Sequence, residues 1–149
     1  LARLSSGLRT LIRRCETPIL TVPGAASPMK RLLLAYDGSP KAKEALYLTT
    51  YLAAQGGAPV VVVSVMDSEE EALERLEEAR AYLVAHEVEV TTLRGNPPAA
   101  KAILQAAQET ESDLILMGGY GYSPILEVIL GSAVDRILCE GTQPVLFCR

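Results

Sequence analysis

The chain has 149 residues, which suits one domain with a sizeable core, and 49% of them are hydrophobic, as in folded proteins and unlike disordered ones. The formal net charge is −4, which argues against a nucleic-acid-binding surface, because such surfaces cluster Lys and Arg against phosphates. The longest apolar runs, at 59–63 and 114–117, are far shorter than the roughly 20 residues that span a bilayer. We therefore expect no nucleic-acid partner and no membrane segment.

The cysteine and histidine content restricts the possible chemistry. The chain has three cysteines and one histidine, and no Cys-x-x-Cys pair. An odd number of cysteines, Cys15, Cys139 and Cys148, favours reduced thiols in a cytoplasmic protein over the disulfide framework of small secreted chains. The single His86 cannot complete a zinc site or a Ser-His-Asp triad within one chain.

The first 22 residues are similar to the end of the chain. Residues 1–15 carry four arginines and no acid, a composition that amphipathic transit peptides also have. An offset of 126 residues aligns the segment with the C-terminal end without a gap, and the identical pairs are Leu4/Leu130, Ser6/Ser132, Pro18/Pro144 and Leu20/Leu146. We interpret 1–22 as the last helix and strand of a preceding tandem copy, 23–28 as a linker, and 29–149 as the complete domain. Chance similarity is the alternative.

From residue 31 onward, strand and helix patterns alternate. Apolar runs predict strands at 31–36, 59–66, 88–93, 113–117 and 145–148. A helix follows each of the first four strands. Ser39 caps the first helix, Ser68 caps the second, Pro97-Pro98 opens the third, and the fourth covers 125–139. In the helix after Ser68, Leu73, Leu76 and Leu83 are expected to face the core. This alternation predicts an α/β fold with an open, five-stranded, mostly parallel sheet and helices on both faces.

A glycine pattern near the C-terminal end indicates phosphate binding. Met117-Gly118-Gly119-Tyr120-Gly121 is followed, after nine residues, by Gly131-Ser132-Ala133. Glycine tolerates positive φ, so successive N–H groups can point at one anion. The loops at 35–39, 65–67 and 118–121 should all emerge at the carboxyl ends of parallel strands, where open α/β sheets bind ligands. They are therefore expected to converge on one nucleotide site.

Three other phosphate or catalytic motifs do not fit. The chain has no Gly-Lys-Ser/Thr, which excludes a P-loop. The run from Gly119 lacks the third glycine of the dinucleotide fingerprint and follows the wrong strand. Gly121-Tyr122-Ser123 begins like a nucleophile elbow, but Ile125 occupies the place of its closing glycine.

Several motifs together resemble the universal stress protein family, over residues 30–149. They are 33–39 after the first strand, 95–97 before the third helix, 113–118 with the glycine pattern to Gly131-Ser132, and 144–146. This resemblance implies a sheet order of 3-2-1-4-5, counted within the complete domain, and dimerisation along the fifth strand. In the branch with this glycine pattern it also implies ATP binding.

The resemblance implies ten cofactor-binding residues: Ala35, Tyr36, Asp37, Val65, Met117, Gly118, Gly121, Gly131, Ser132 and Ala133. Asp37 and the backbone of Ala35 and Val65 would contact adenine and ribose. Met117 and Gly118 would back the ribose, and the glycines, Ser132 and Ala133 that follow would hold phosphates. Ala133 would use its N–H, because free amides and the helix dipole favour an anion there. Two alternatives stay open: Asp37 as a turn residue beside Gly38, and Gly131-Ser132 as a small-residue helix contact.

The chain departs from the family pattern inside the loop itself. No Lys or Arg lies between Gly118 and Ala133, so we expect amides, hydroxyls and Mg²⁺ to meet the phosphate charge. Phosphoryl transfer needs a cationic clamp and a positioned nucleophile, and the motif offers neither a catalytic Lys nor an Arg finger. The sequence therefore favours a regulatory module that holds ATP, ADP or AMP, with hydrolysis slow or absent.

Two other classes of function remain as alternatives. One is a dimerisation or interaction module with an empty cleft, in which residues 18–22 lie antiparallel against 145–148, within or between chains, and cover that sheet edge. The other is a flavin or nucleotidyl-transfer enzyme of the same architecture, for which the sequence shows no substrate pocket.

Overall fold

The computed structural model of the chain describes residues 6–120 and 133–149. Within them, the strands are β1 (Ile19–Thr21), β2 (Leu32–Ala35), β3 (Val60–Ser64), β4 (Val90–Arg94), β5 (Leu114–Gly118) and β6 (Val145–Cys148). The helices are α1 (Ser6–Arg14), α2 (Pro40–Gly56), α3 (Glu69–Ala85), α4 (Ala99–Glu109) and α5 (Ala133–Glu140). Of the helix predicted at 125–139, residues 125–132 lie outside the described residues, and its last turns form α5.

All the strands form one sheet in the order β1-β6-β5-β2-β3-β4. Strands β2 to β6 are parallel, and β1 joins the edge antiparallel to β6. The mostly parallel sheet and the strand order expected for the complete domain are confirmed. The expected number of five strands is wrong, because the described residues form a sheet of six: residues 19–21 add a strand by pairing with β6 in the same chain.

The helix caps are those that the sequence indicates. Ser39 Oγ accepts a hydrogen bond from the N–H of Ala42 at 3.2 Å, and Gly57, with φ +63°, caps the C-terminal end of α2. Ser68 Oγ accepts one from the N–H of Glu71 at 3.4 Å. Each serine satisfies an amide that the first helical turn leaves without a partner.

The sheet separates two apolar cores. Leu32 and Leu34 pack against α2 and α3, whereas Leu33 packs against α1, α4 and α5 on the other face. This alternation follows from the opposite directions of successive side chains in a strand. In α3 the buried stripe consists of Ala72, Leu76, Ala79 and Leu83. Leu73, expected to face the core, is 54% exposed because it lies one position beside that stripe.

The three cysteines are free, as the sequence indicates. Cys148 is buried in β6, and this burial raises the pKa of its thiol to about 11. Within residues 6–120 and 133–149, no helix is long and apolar enough to cross a membrane.

Candidate functional site

A cavity of about 280 Å³ opens at the carboxyl ends of β2, β3 and β5. Its walls also include the first turns of α2 and residues of α4. The lining residues are Ala35, Tyr36, Asp37, Ser39, Lys41, Ala42, Val63, Val65, Ala99, Ile103, Met117, Gly118, Gly119 and Ala133. Most of these side chains are apolar and a few are polar, the composition expected of a small-molecule site.

The turn after β2 has a structural role as well as a place in the cavity wall. Asp37 Oδ1 accepts a hydrogen bond from the N–H of Ser39 at 2.9 Å, which is the turn role that the sequence left open. Gly38 has φ +77°, and a Cβ there would lie 2.6 Å from Cδ of Arg75. Asp37 is nevertheless exposed and lines the cavity. One carboxylate oxygen can therefore stabilise the turn while the other accepts a hydrogen bond from a ligand.

The wall formed by Val65 depends on Gly95. A Cβ at Gly95 would lie 2.8 Å from Cγ2 of Val65 and 2.8 Å from Cβ of Ala102. The N–H of Gly95 donates to the carbonyl oxygen of Ser64 at 2.9 Å, which ties the end of β4 to the end of β3. The glycine therefore allows the turn after β4 to close against the cavity wall.

Gly118 allows α2 to approach the end of β5. A Cβ at this position would lie 2.9 Å from Cβ of Lys41 and 3.3 Å from the backbone N of Ala42. These atoms belong to the first turn of α2 and cannot rotate away. A side chain at position 118 would thus push this turn off the strand.

Lys41 brings a cation to the site that the sequence pattern does not predict. Its Nζ donates a hydrogen bond to the carbonyl oxygen of Tyr120, and Lys41 also lines the cavity. The glycine segment, residues 118–132, carries no Lys or Arg in its sequence, but α2 supplies a lysine to the cavity wall. The available signal was its position two residues after the cap Ser39, at the same end of the sheet.

Tyr120 connects the glycine segment with both terminal helices. Its side chain is buried, and its hydroxyl donates to Oδ1 of Asp135 in α5. Burial, reinforced by this hydrogen bond, raises the pKa of the hydroxyl above its ordinary value. The guanidinium of Arg13 in α1 lies 4.6 Å from the ring centroid, a cation–π distance.

Seven of the ten predicted site residues surround this cavity: Ala35, Tyr36, Asp37, Val65, Met117, Gly118 and Ala133. The other three, Gly121, Gly131 and Ser132, lie outside the described residues. The ring of Tyr36 is buried in the core on the α2–α3 side. Ser39, Lys41, Ala99 and Ile103 line the cavity without having been predicted to do so.

An open parallel α/β sheet with a cavity where the strand order reverses belongs to the doubly wound class, which binds ligands at that point. Within this class, the sequence model of the Universal stress protein family matches residues 66–149, more than half of the chain. The chain belongs to the universal stress protein family. Among the described residues, no group of three or more His, Cys, Asp or Glu side chains is arranged to hold a metal ion.

Two relatives illustrate how the similarity is distributed. A universal stress protein of Thermus aquaticus is 36% identical over 137 residues, which cover 80% of this chain and 98% of the relative. A universal stress protein of Synechocystis sp. is 28% identical over 150 residues, which cover 98% of this chain and 52% of the relative. The chain thus spans about half the length of the Synechocystis protein.

Solved structures share the fold. A universal stress protein of Archaeoglobus fulgidus matches with a TM-score of 0.83 and 22% identity, over 95% of this chain and 52% of that one. A universal stress protein in complex with cAMP matches with a TM-score of 0.71 and 21% identity, over 84% and 98%. A different Archaeoglobus fulgidus chain, a universal stress protein in complex with dAMP, gives 0.64 and 22%, over 80% and 97%. An Arabidopsis thaliana family member with AMP bound gives 0.63 and 14%, over 80% and 90%.

Proposed function

We propose that this chain binds an adenine nucleotide in the cavity at the carboxyl ends of β2, β3 and β5. The observation that carries the proposal is the convergence of Asp37, Val65 and Met117, from three separate strand ends, on one cavity. Val65 and Met117 offer apolar contacts to an adenine ring, and the Asp37 carboxylate is an acceptor for ribose hydroxyls. The main chain of Ala35 completes this part of the site.

The phosphates would lie toward the glycine segment. Ala133 lines the cavity at the start of α5, where helix amides and the dipole favour an anion. Gly121, Gly131 and Ser132 would supply further N–H and hydroxyl donors. Lys41 adds a positive charge at the cavity wall, and Mg²⁺ would neutralise phosphate oxygens when bound with ATP.

The solved relatives with cAMP, dAMP and AMP support an adenine nucleotide as the ligand class. The preference for ATP over ADP or AMP rests on the glycine pattern. We further propose a regulatory, cytoplasmic module with slow or absent hydrolysis, because efficient phosphoryl transfer needs a cationic clamp around a positioned nucleophile. Lys41 is a single cation that donates to the carbonyl oxygen of Tyr120. It can therefore neutralise part of the phosphate charge, but it does not by itself form such a clamp.

We also propose that residues 1–22 are the end of a preceding copy and that 23–28 link it to the domain at 29–149. The β1–β6 register supports this interpretation, since an isologous contact between two copies requires reciprocal pairs. At the offset of 126, the observed pairs are reciprocal: Ile19↔Phe147, Leu20↔Leu146 and Thr21↔Val145. A homodimer or tandem pair joined along the last strand has this geometry.

Isothermal titration calorimetry with ATP, ADP and AMP, each with and without Mg²⁺, tests nucleotide binding. We expect submillimolar dissociation constants, strengthened by Mg²⁺ for ATP more than for AMP. Gly131→Val should abolish binding by blocking the phosphate donors. Gly24→Val, in the linker with no atom within 4 Å of its Cβ position, should preserve it. A folded protein that gives no binding heat at submillimolar nucleotide would refute the proposal.

The second candidate is an interaction module that leaves the cavity empty. The pairing of β1 with β6 favours it, because this edge demonstrably accepts an added strand. Absence of nucleotide binding, together with loss of chain association when the β6 edge is altered, would support this function instead.

A further inference from the structure

In the contact between α1 and α5, two residues that occupy the same position in the proposed tandem copies lie against each other. Arg9 Nη2 lies 3.0 Å from Asp135 Oδ2, and Arg9 Nε donates to Asp135 Oδ1 at 3.2 Å. These residues are 126 positions apart, as are Leu20 and Leu146, which face each other in the sheet. Residues that contact their own counterparts lie on a twofold axis between two copies. Arg9 and Asp135 therefore mark the axis at the helices, as the leucines do at the strands.

The apolar contacts across this axis would survive if a second copy of the domain replaced the N-terminal segment. Ile12 of α1 is buried, with its Cγ2 3.4 Å from the Cβ position of Gly119. At the offset of 126, Ile12 corresponds to Leu138, and Leu20 to Leu146. Because both replacements are apolar and similar in size, these contacts do not distinguish one partner from the other.

The ion pair, in contrast, would not survive such a replacement. In a pair of identical domains, Asp135 would face a second Asp135 across the axis, in place of Arg9. The side chain of Asp135 is only 24% exposed, so water would screen this repulsion incompletely. Like charges placed opposite each other in an interface suppress the wrong partner.

A second cationic contact would also be lost. Arg13 stacks on the ring of Tyr120 at 4.6 Å, and its counterpart at the offset of 126 is Cys139. A second copy of the domain would thus bring a thiol to the place where α1 brings a guanidinium. These two contacts, like the ion pair of Glu16 with Arg149 at 3.9 Å, depend on charged side chains of the N-terminal segment.

We propose that the interface formed by α5 and β6 selects its partner by charge. It accepts a last helix that carries cations at the positions matching Asp135 and Cys139, as α1 does, and it rejects a second copy of residues 29–149. Apolar contacts supply affinity, and the Arg9–Asp135 pair on the axis supplies selectivity. The inference rests on the tandem interpretation proposed above and is independent of nucleotide binding.

Charge reversal in the full chain tests the attractive contact, with amide hydrogen exchange of residues 19–21 as the readout. Arg9→Asp and Asp135→Arg should each raise exchange by about tenfold or more, since each places like charges on the axis. The double reversal should recover most of the protection relative to Asp135→Arg alone. Arg136→Asp is the matched control, because Arg136 lies in α5 and pairs with Glu140 on the surface. Unchanged exchange in Arg9→Asp, or no recovery in the double reversal, would overturn the proposal.

Sedimentation velocity tests the rejection of a second copy. Ile12→Asp, which puts a charge into the buried contact of α1, should release the segment without producing dimers through the open β6 edge, because Asp135 would still face its counterpart. Ile12→Asp combined with Asp135→Asn should dimerise at a concentration about tenfold lower, since the repulsion between the two Asp135 side chains has been removed. Equal dimerisation of the two variants would contradict charge selection. Neither readout involves nucleotide, so a failure here is distinct from a failure of the titrations.

Discussion

Replacing Gly118 with alanine should lower the free energy of unfolding by about 1–3 kcal/mol, the usual effect of overpacking a well-packed contact. The added Cβ would lie 2.9 Å from Cβ of Lys41 and 3.3 Å from the backbone N of Ala42. Both neighbours belong to the first turn of α2, so relief requires this turn to move. Ser39 and Lys41 line the cavity and would move with it. ATP affinity should therefore fall as well, by about tenfold for each 1.4 kcal/mol of lost interaction.

Urea denaturation gives the stability term, and calorimetry of the same preparations gives the affinity. The control is Gly24→Ala, where no atom lies within 4 Å of the Cβ position, and we expect it to remain within about 0.5 kcal/mol of the original chain. If Gly118→Ala were as stable as Gly24→Ala and bound ATP equally well, the close approach of β5 and α2 would not position the site.

Three further outcomes follow from single side chains. Lys41→Met should weaken ATP binding by about tenfold and AMP binding less, because AMP carries less charge; equal losses in calorimetry would contradict a role toward phosphates. Ser39→Ala should cost about 1 kcal/mol in urea denaturation, since it removes the cap of α2; an unchanged midpoint would refute this. Glu78 is partly buried, which raises its pKa, but its ion pairs with Lys43 and Arg75 prevail and hold the pKa below 4.5. Its contribution to stability is thus present above pH 4.5 and lost as pH falls through the lowered pKa, so Glu78→Gln and the original chain should converge in stability in acid. A constant difference between them across this range would be the contrary result.

The general arrangement of the site follows from the sequence because it depends on topology. Asp37, Val65 and Met117 each follow or end an apolar run, and parallel strands bring such positions to one edge of the sheet. The caps Ser39 and Ser68 were equally predictable, since a local hydrogen bond decides them. Predicting these features requires only local sequence patterns and the rule that the carboxyl ends of parallel strands meet at one edge of the sheet.

The remaining features depend on tertiary approach. Lys41 reaches the cavity because Gly118 lets α2 pack closely on β5, and no local pattern reports that distance. Tyr120 is buried because helices from both ends of the chain surround it. Leu73 is exposed because the angle at which α3 packs decides which of its side chains are buried. Hydrophobic spacing alone predicts this buried face only to within one residue position.

The additional edge strand is another feature that the sequence predicts only in part. The offset of 126 residues identified 18–22 as strand-like and suggested its pairing with 145–148. The number of strands in the sheet depends on whether this pairing occurs within the chain, which the sequence left open. The structure shows it within the chain, with Leu20 opposite Leu146.

The central claim is that an adenine nucleotide occupies the carboxyl ends of β2, β3 and β5. A titration of the ¹⁵N-labelled chain with ATP and Mg²⁺, followed by amide chemical shifts, tests it most directly. We predict shifts for Val65 and Met117, at the cavity, and none for Val60 and Leu114, at the amino ends of β3 and β5. No shifts at millimolar ATP, or shifts confined to the amino ends, would contradict the claim.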